Sequence, residues 1–386
     1  MNTGKIYDCL IKYFWIVGVL FIFIGVYRLI SNNALGSYRL LEFGLLLVLA
    51  NFLLRKHSNF NFDKIRLIWF FLIIIAVSFL FRVFTVLYHS GPVGYDVPFY
   101  LSATENDKIL EPLFFWISKP FSQVFGSIQI VYILVPLISA LTVIPFFFLA
   151  QRFFGRNVAV IATIILTLAP LQLRFSADLF RNVIANFFLL TSLCFITNKT
   201  KRITVLTVVS ISLLALSHIM TFTLFVLTGL IYYILQRNVS DIKKFILLVF
   251  ISCIPLVIWA LPSLYTYEGM ITDYMNPYTN TPELVRVIIW TQTIFLFSLP
   301  MIITNIKTRE WKSFDMIFLL SSLILTTIGI FFIGLADRWL YFIEFPLIIL
   351  ASRTVAEKNK WMISLFILFV IIDSITFGTV LLQSYT

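Results

Sequence analysis

Residues 111–190 read EPLFFWISKPFSQVFGSIQIVYILVPLISALTVIPFFFLAQRFFGRNVAVIATIILTLAPLQLRFSADLFRNVIANFFLL. Leu113, Phe114, Ile117, Phe121, Val124 and Phe125 recur at helical spacing among Lys119, Ser122 and Gln123, in a run too short to cross a bilayer. From 127 to 150 and from 157 to 172 the chain is apolar over about the 20 residues that a transmembrane helix needs. The basic turn QRFFGRN joins those two runs. LRFSADLFRN then sets Arg174, Asp178 and Arg181 ahead of the next apolar run. An amphipathic segment, two apolar helices, a cationic turn at one end and a mixed-charge loop at the other describe an all-α, polytopic membrane protein.

The rest of the chain repeats this alternation. Of 386 residues, 60% are hydrophobic and only 12% charged, and the mean hydropathy is +0.98, which excludes a soluble domain of this length. Apolar runs fall near 11–31, 36–54, 67–88, 127–150, 157–172, 181–197, 203–217, 219–236, 245–262, 287–305, 314–333, 339–352 and 361–382, about 13 spans. The first two form an N-terminal hairpin, residues 1–60, ahead of a single transmembrane domain, residues 61–386. The N-terminus shows no small-residue cleavage site and reads as a retained helix. Cys9, Cys194 and Cys253 form neither a disulfide framework nor a metal-ligand spacing.

Threading the spans with the N-terminus inside puts RKHSNFNFDKIR, QRFFGRN, NKTKR, QRNVSDIKK, KTREWK and SRTVAEKNK on the cytoplasmic side, as the positive-inside rule prefers. The net charge of +11 is then a matter of topology and anionic lipid, and no nucleic-acid partner is expected. The NKT and NVS triplets fall inside and read as chance matches to the glycosylation acceptor pattern.

The outer connections, chiefly 89–126 and 262–286, carry half of the acids. GPVGYD turns out of the membrane and presents Asp96. Glu105 and Asp107 follow it. The segment KILEPLFFWISKPFSQVFG, interrupted at Pro112 and Pro120, reads as two short amphipathic helices in the interface plane, with Trp116 at headgroup depth. Arg174, Asp178 and Arg181, four and three apart, share one face if helical. That arrangement suits either an ion-pair ladder or a fork for a phosphate. Arg338 opens a late span from outside, and Glu344 lies within it, where a charge needs a partner or a cavity. His218 sits at an outer turn. Tyr265, Tyr267, Tyr274 and Tyr278 crowd the second outer loop, as an aromatic belt or as a cover over a site. Asp373, deep in the last span, has no reading. Nucleotide-binding glycine loops and an H-E-x-x-H motif are absent, so outer-face chemistry must draw on a donor already in the membrane.

These residues resemble the GT-C superfamily of integral-membrane glycosyltransferases, most of all the protein O-mannosyltransferase and lipid A aminoarabinose transferase branch, with archaeal oligosaccharyltransferase-like features. The likeness rests on a first-loop acid, the P-L-F-F-W interfacial helix, FG before the next span, the RFFGR turn and DRWLYFIEFPLIILAS, over roughly residues 67 to 352. It implies transfer of a sugar, hexosyl or pentosyl, from a polyprenyl- or dolichyl-phosphate donor to an acceptor at the outer face of the plasma membrane. Asp96 would be the catalytic base of an inverting reaction. Arg338, with Arg174 or Arg181, would bind the donor phosphate. Asp178, Glu105, Asp107, His218 and Glu344 are candidates for an acceptor contact or a second acid. A divalent metal, magnesium or manganese on Asp96 and Asp178, is left open. The chain departs from the relatives in having YD where an acid pair is usual, and it lacks the WWDYG block. A transporter or flippase of lipid-linked glycans is the alternative, suggested by Glu344 and Asp373.

Overall fold

A computed structural model describes residues 65–89, 94, 96–102, 111–197, 205–237, 239–261, 281–333, 336–356 and 360–381, with the isolated positions 20, 22, 24 and 62. Apart from positions 20, 22 and 24, the expected spans 11–31 and 36–54 lie outside them, as do Glu105, Asp107 and the tyrosine-rich residues 262–280. Among the described residues all regular structure is helical. Six segments are long and apolar enough to cross a membrane: Leu67–Tyr88, Ile130–Leu168, Val239–Ala260, Phe314–Phe331, Arg338–Ala356 and Met362–Thr379. Phe180–Ile196, Val205–Ser217 and Ile219–Leu235 are shorter apolar helices. Among the described residues, each apolar run read after residue 60 is mainly helical, with interruptions.

Ile130–Leu168 is 39 residues long, about twice a single span. It breaks within QRFFGRN at Gly155, whose φ of 83° and ψ of 175° suit a residue without Cβ. The run expected at 157–172 ends at Leu168. Pro170 disfavours helical geometry at the residue before it, Ala169 is extended (φ −67°, ψ 134°), and a separate helix α1 runs Pro170–Asp178. Leu179 (φ −106°, ψ 63°) breaks the chain again before helix α2, Phe180–Ile196. The run 287–305 is divided at Thr291 between Thr281–Trp290 and Gln292–Lys307. The run 339–352 consists of Ala336–Leu340, a 3₁₀ turn Tyr341–Ile343 and helix α3, Glu344–Ala356.

The expected pair of interfacial helices is corrected in part. After the short helix Val97–Ser102, a single helix α4 spans Leu113–Phe125 and passes through Pro120. It buries Leu113, Phe114, Phe115 and Ser118, while Trp116, Val124 and Phe125 stay exposed. Pro112, at its start, lacks only an N–H that the first helical turn does not use.

Helix α3 is the centre of the bundle, buried over nearly its whole length and packed against Gln292–Lys307 and Val143–Leu168. Leu67–Tyr88 and Val239–Ala260 lie at the periphery and turn Ile68, Trp69, Leu72, Phe250 and Ile258 outward, which hydrocarbon accommodates as readily as a protein interior does. At the basic end, Arg353 Nη1 donates to Asp315 at 2.5 Å and its guanidinium lies 4.6 Å over Phe154. This ties the last turn of α3 to the start of Phe314–Ile328.

Candidate active site

The site forms where several helices end together. Asp178 closes α1. Its Oδ1 accepts the backbone N–H of Asp96 at 2.8 Å, and its Oδ2 pairs with Arg174 Nη1 at 2.5 Å. Gly94 and Asp96 of the first loop lie against this carboxylate. Gly94 adopts φ 133°, and a Cβ built there would stand 2.3 Å from Asp178 Oδ1, so only glycine permits the approach. The Asp96 carbonyl then accepts from Tyr100 N–H at 3.0 Å and starts helix Val97–Ser102. With its backbone fixed, Asp96 directs its carboxylate outward, 4.0 Å from Arg338 Nη2. Those two side chains are 30% and 29% exposed.

A second buried carboxylate braces the same region. Glu111, just ahead of α4, accepts from Arg181 Nη1 at 2.6 Å and from the N–H of Ile219 at 2.8 Å. Arg181 Nε reaches the Tyr100 hydroxyl at 3.4 Å, and the Tyr100 ring stacks on Phe180 at 4.9 Å. His218 precedes helix Ile219–Leu235 and caps it, its Nδ1 meeting the Thr221 N–H and hydroxyl at 3.4 and 3.0 Å. Glu111 thus links the loop bearing Asp96 to α2 and to that helix start.

The groups share one electrostatic neighbourhood, because Arg338 acts on Tyr100, Glu111, Asp178 and His218 alike. Burial pushes the Asp178 carboxyl above its ordinary range, and the Asp96 charge adds to this. Arg174 offsets the shift without reversing it, despite the short contact. Burial acts the same way on Glu111, but there Arg181, His218 and the Ile219 N–H outweigh it and the carboxyl titrates below its ordinary range. Burial lowers His218 to about 4, so its imidazole is neutral at neutral pH.

Asp96, Asp178, Arg174, Arg181, Arg338 and His218, spread over more than half the chain, are therefore brought together. Three expectations need adjustment. Arg174, Asp178 and Arg181 do not share one helical face: Leu179 divides them, Arg174 pairs with Asp178, and Arg181 turns to Glu111. Glu344 does not join the cluster. It is fully buried, and its oxygens accept from Leu171 N–H at 3.2 Å and Gln172 Nε2 at 2.9 Å, so it caps the start of α1. Glu111 and Gly94 carry more of the site than their sequence context suggested. In the sequence Glu111 is one acid among those of the outer connections, and Gly94 belongs to an ordinary turn. Arg82, a lone cation in an apolar run, is buried against Ser78 and Ser139.

The described donor set does not fit a divalent metal. No three His, Cys, Asp or Glu side chains come together among the described residues, and Asp178 is engaged by Arg174 and by a backbone N–H.

Known structures share the fold of this helical bundle. ArnT from Cupriavidus metallidurans matches with a TM-score of 0.58 in its apo state and 0.57 bound to undecaprenyl phosphate, at 13% identity over 75% of this chain and 60% of that one. The oligosaccharyltransferase of Archaeoglobus fulgidus matches in the apo form with a TM-score of 0.58 and 13% identity, over 84% of this chain and 56% of that one. The same organism's AglB, in complex with an inhibitory peptide and a dolichol-phosphate, gives 0.56 and 12% over 81% and 55%. The chain thus spans between 55% and 60% of the length of those proteins. The chain belongs to the EpsG family, whose model matches residues 72–386. No curated protein sequence matches it significantly.

Proposed function

We propose that this protein transfers a sugar from a polyprenyl- or dolichyl-phosphate donor to an acceptor hydroxyl at the outer face of the membrane. One observation carries the reading. Asp96 and Arg338 are the partly exposed pair of the cluster and face each other at 4.0 Å, while Asp178, Arg174 and Glu111 are buried and Arg181 is bridged to Glu111. A base and a cation standing open side by side, on a charged and rigid support, suit displacement of a phosphate from an anomeric carbon. ArnT has been seen with undecaprenyl phosphate and AglB with a dolichol-phosphate, which supports a lipid-phosphate donor.

In this mechanism the donor phosphate binds Arg338, drawing the guanidinium from Asp96 and freeing the carboxylate. Asp96 takes the acceptor hydroxyl proton as that oxygen attacks the anomeric carbon from the face opposite the phosphate. The C–O bond to phosphate breaks, the carrier phosphate leaves as an anion on Arg338, and the anomeric centre inverts. Such base assistance is typically worth about 10²–10⁴-fold. A fixed cation in a poorly hydrated site stabilises the leaving charge strongly. Asp178, pinned between Arg174 and the Asp96 N–H, positions the base.

The test is release of carrier phosphate and labelling of acceptor by purified protein in liposomes supplied with polyprenyl-phosphate sugars. Asp96→Asn should lose turnover by about 10²-fold or more with unchanged melting. Arg338→Gln should raise the donor KM as well as lower kcat. Near-normal turnover by Asp96→Asn removes Asp96 from the chemistry, and movement of intact lipid-linked sugar without release of phosphate favours a transporter.

A further inference from the structure

Away from the carboxylate cluster, the latter half of α2 and the helix ahead of Gly155 enclose a groove of about 610 Å³, walled by Ile144, Phe148, Phe187, Thr191 and Phe195. Its flank is open, with Phe148 43% exposed. Arg152, itself a lining residue, stands at one mouth. Its Nη1 donates to the Cys194 carbonyl and, at 3.1 Å, to Thr197 Oγ1. Among the described residues no carboxylate pairs with it. A carbonyl and a hydroxyl therefore fix the guanidinium and leave its charge uncompensated.

We propose that this groove binds an anionic glycerophospholipid from the leaflet at the basic end of the bundle. One acyl chain lies along Phe148 and Phe187, and the headgroup phosphate meets Arg152. The apolar walls reject a water-soluble anion. A guanidinium matches phosphate geometry, and the Arg152 charge, without a carboxylate partner among the described residues, disfavours a headgroup that carries its own ammonium. The sugar donor is a different ligand. Arg181, in the cluster, and Cys194, beside Arg152, are separated along α2 by about 20 Å at 1.5 Å per residue, so a phosphate held at Arg338 does not reach Arg152.

The test uses the whole protein in nanodiscs and a phosphatidylglycerol with a photoreactive group in one acyl chain. Cross-links should map to peptides containing 144–148 and 187–195. Arg152→Gln should weaken labelling about fivefold, the factor for one cation at an anionic surface. Thr191→Trp, which fills the groove and keeps the charge, should abolish it. Equal labelling by a phosphatidylcholine probe overturns the proposal, as does labelling indifferent to both variants. Preferential competition by undecaprenyl phosphate overturns it too, by making the groove a carrier site. If Arg152→Gln does not fold, the headgroup comparison and Thr191→Trp still decide.

Discussion

The Asp178 carboxylate lies where a Cβ on Gly94 would stand, and it also accepts the N–H of Asp96. These two contacts fix the backbone that carries Asp96, the proposed base. Gly94→Ala must strain a φ of 133° and displace either the loop or Asp178, at about 1–3 kcal/mol. Because the distortion falls on the turn that carries Asp96, turnover should fall much further than the melting temperature, which parallel kinetic and thermal measurements will reveal. His218 makes a separate prediction at this scale. It titrates at about 4 when folded against an ordinary 6.5, because burial disfavours its charge, and the groups acting on it are Glu111, Arg181 and Arg338. Its folded pKa is depressed, so between pH 6.5 and 4 the unfolded chain binds more protons and stability declines on acidification. The loss is at most roughly 3 kcal/mol. Melting in detergent across that window should show it, and His218→Asn should flatten the profile.

The helices were legible because apolar runs of membrane length have few other uses. Their interruptions were not. The run read through Pro170 to residue 172 stops short of that proline, nothing in LRFSADLFRN marks Leu179 as the residue that leaves the helix, and that single break sends Arg174 and Arg181 to different partners. Pro120 was the opposite case: α4 continues through it and gives up one internal hydrogen bond. The Arg181–Glu111 bridge joins residues 70 positions apart, and the spacing rules of one helix say nothing about it. It binds α2, the loop ahead of α4 and the start of Ile219–Leu235 into one block. Glu111→Ala takes the bridging carboxylate from the partly buried Arg181 guanidinium and removes the acceptor of the Ile219 N–H, and should cost about 3 kcal/mol. The double variant Glu111→Ala, Arg181→Ala should lose clearly less than the sum of the singles, measured as thermal unfolding in detergent. Simple additivity would mean that the bridge contributes nothing.

Across the whole molecule, charge is segregated. Asp96, Glu111, Asp178 and their guanidinium partners gather where α1 ends and α2 begins, whereas Arg152, Lys307, Arg309, Lys312 and Arg353 lie at or beside the far ends of their helices. Between the two zones stands the buried contact of Glu344 with Leu171 and Gln172, which anchors the site-bearing helix α1 to the central helix α3. The cluster was legible from sequence only as a list of suspicious charges. Their convergence depends on where α1, α2 and α3 end in space, which hydropathy does not encode. The sense of the bundle in the membrane is nevertheless predictable, because cationic connections are retained on the cytoplasmic side. With Cys9, Cys194 and Cys253 replaced, Ser127→Cys, exposed just after α4, should react with an impermeant maleimide on intact cells. Lys312→Cys, exposed in the turn ahead of Phe314–Ile328, should react only after the membrane is opened. The reverse labelling pattern would move the Asp96–Arg338 pair to the cytoplasmic face, where soluble sugar nucleotides are available, and the need for a donor carried across the membrane on a lipid would disappear with it.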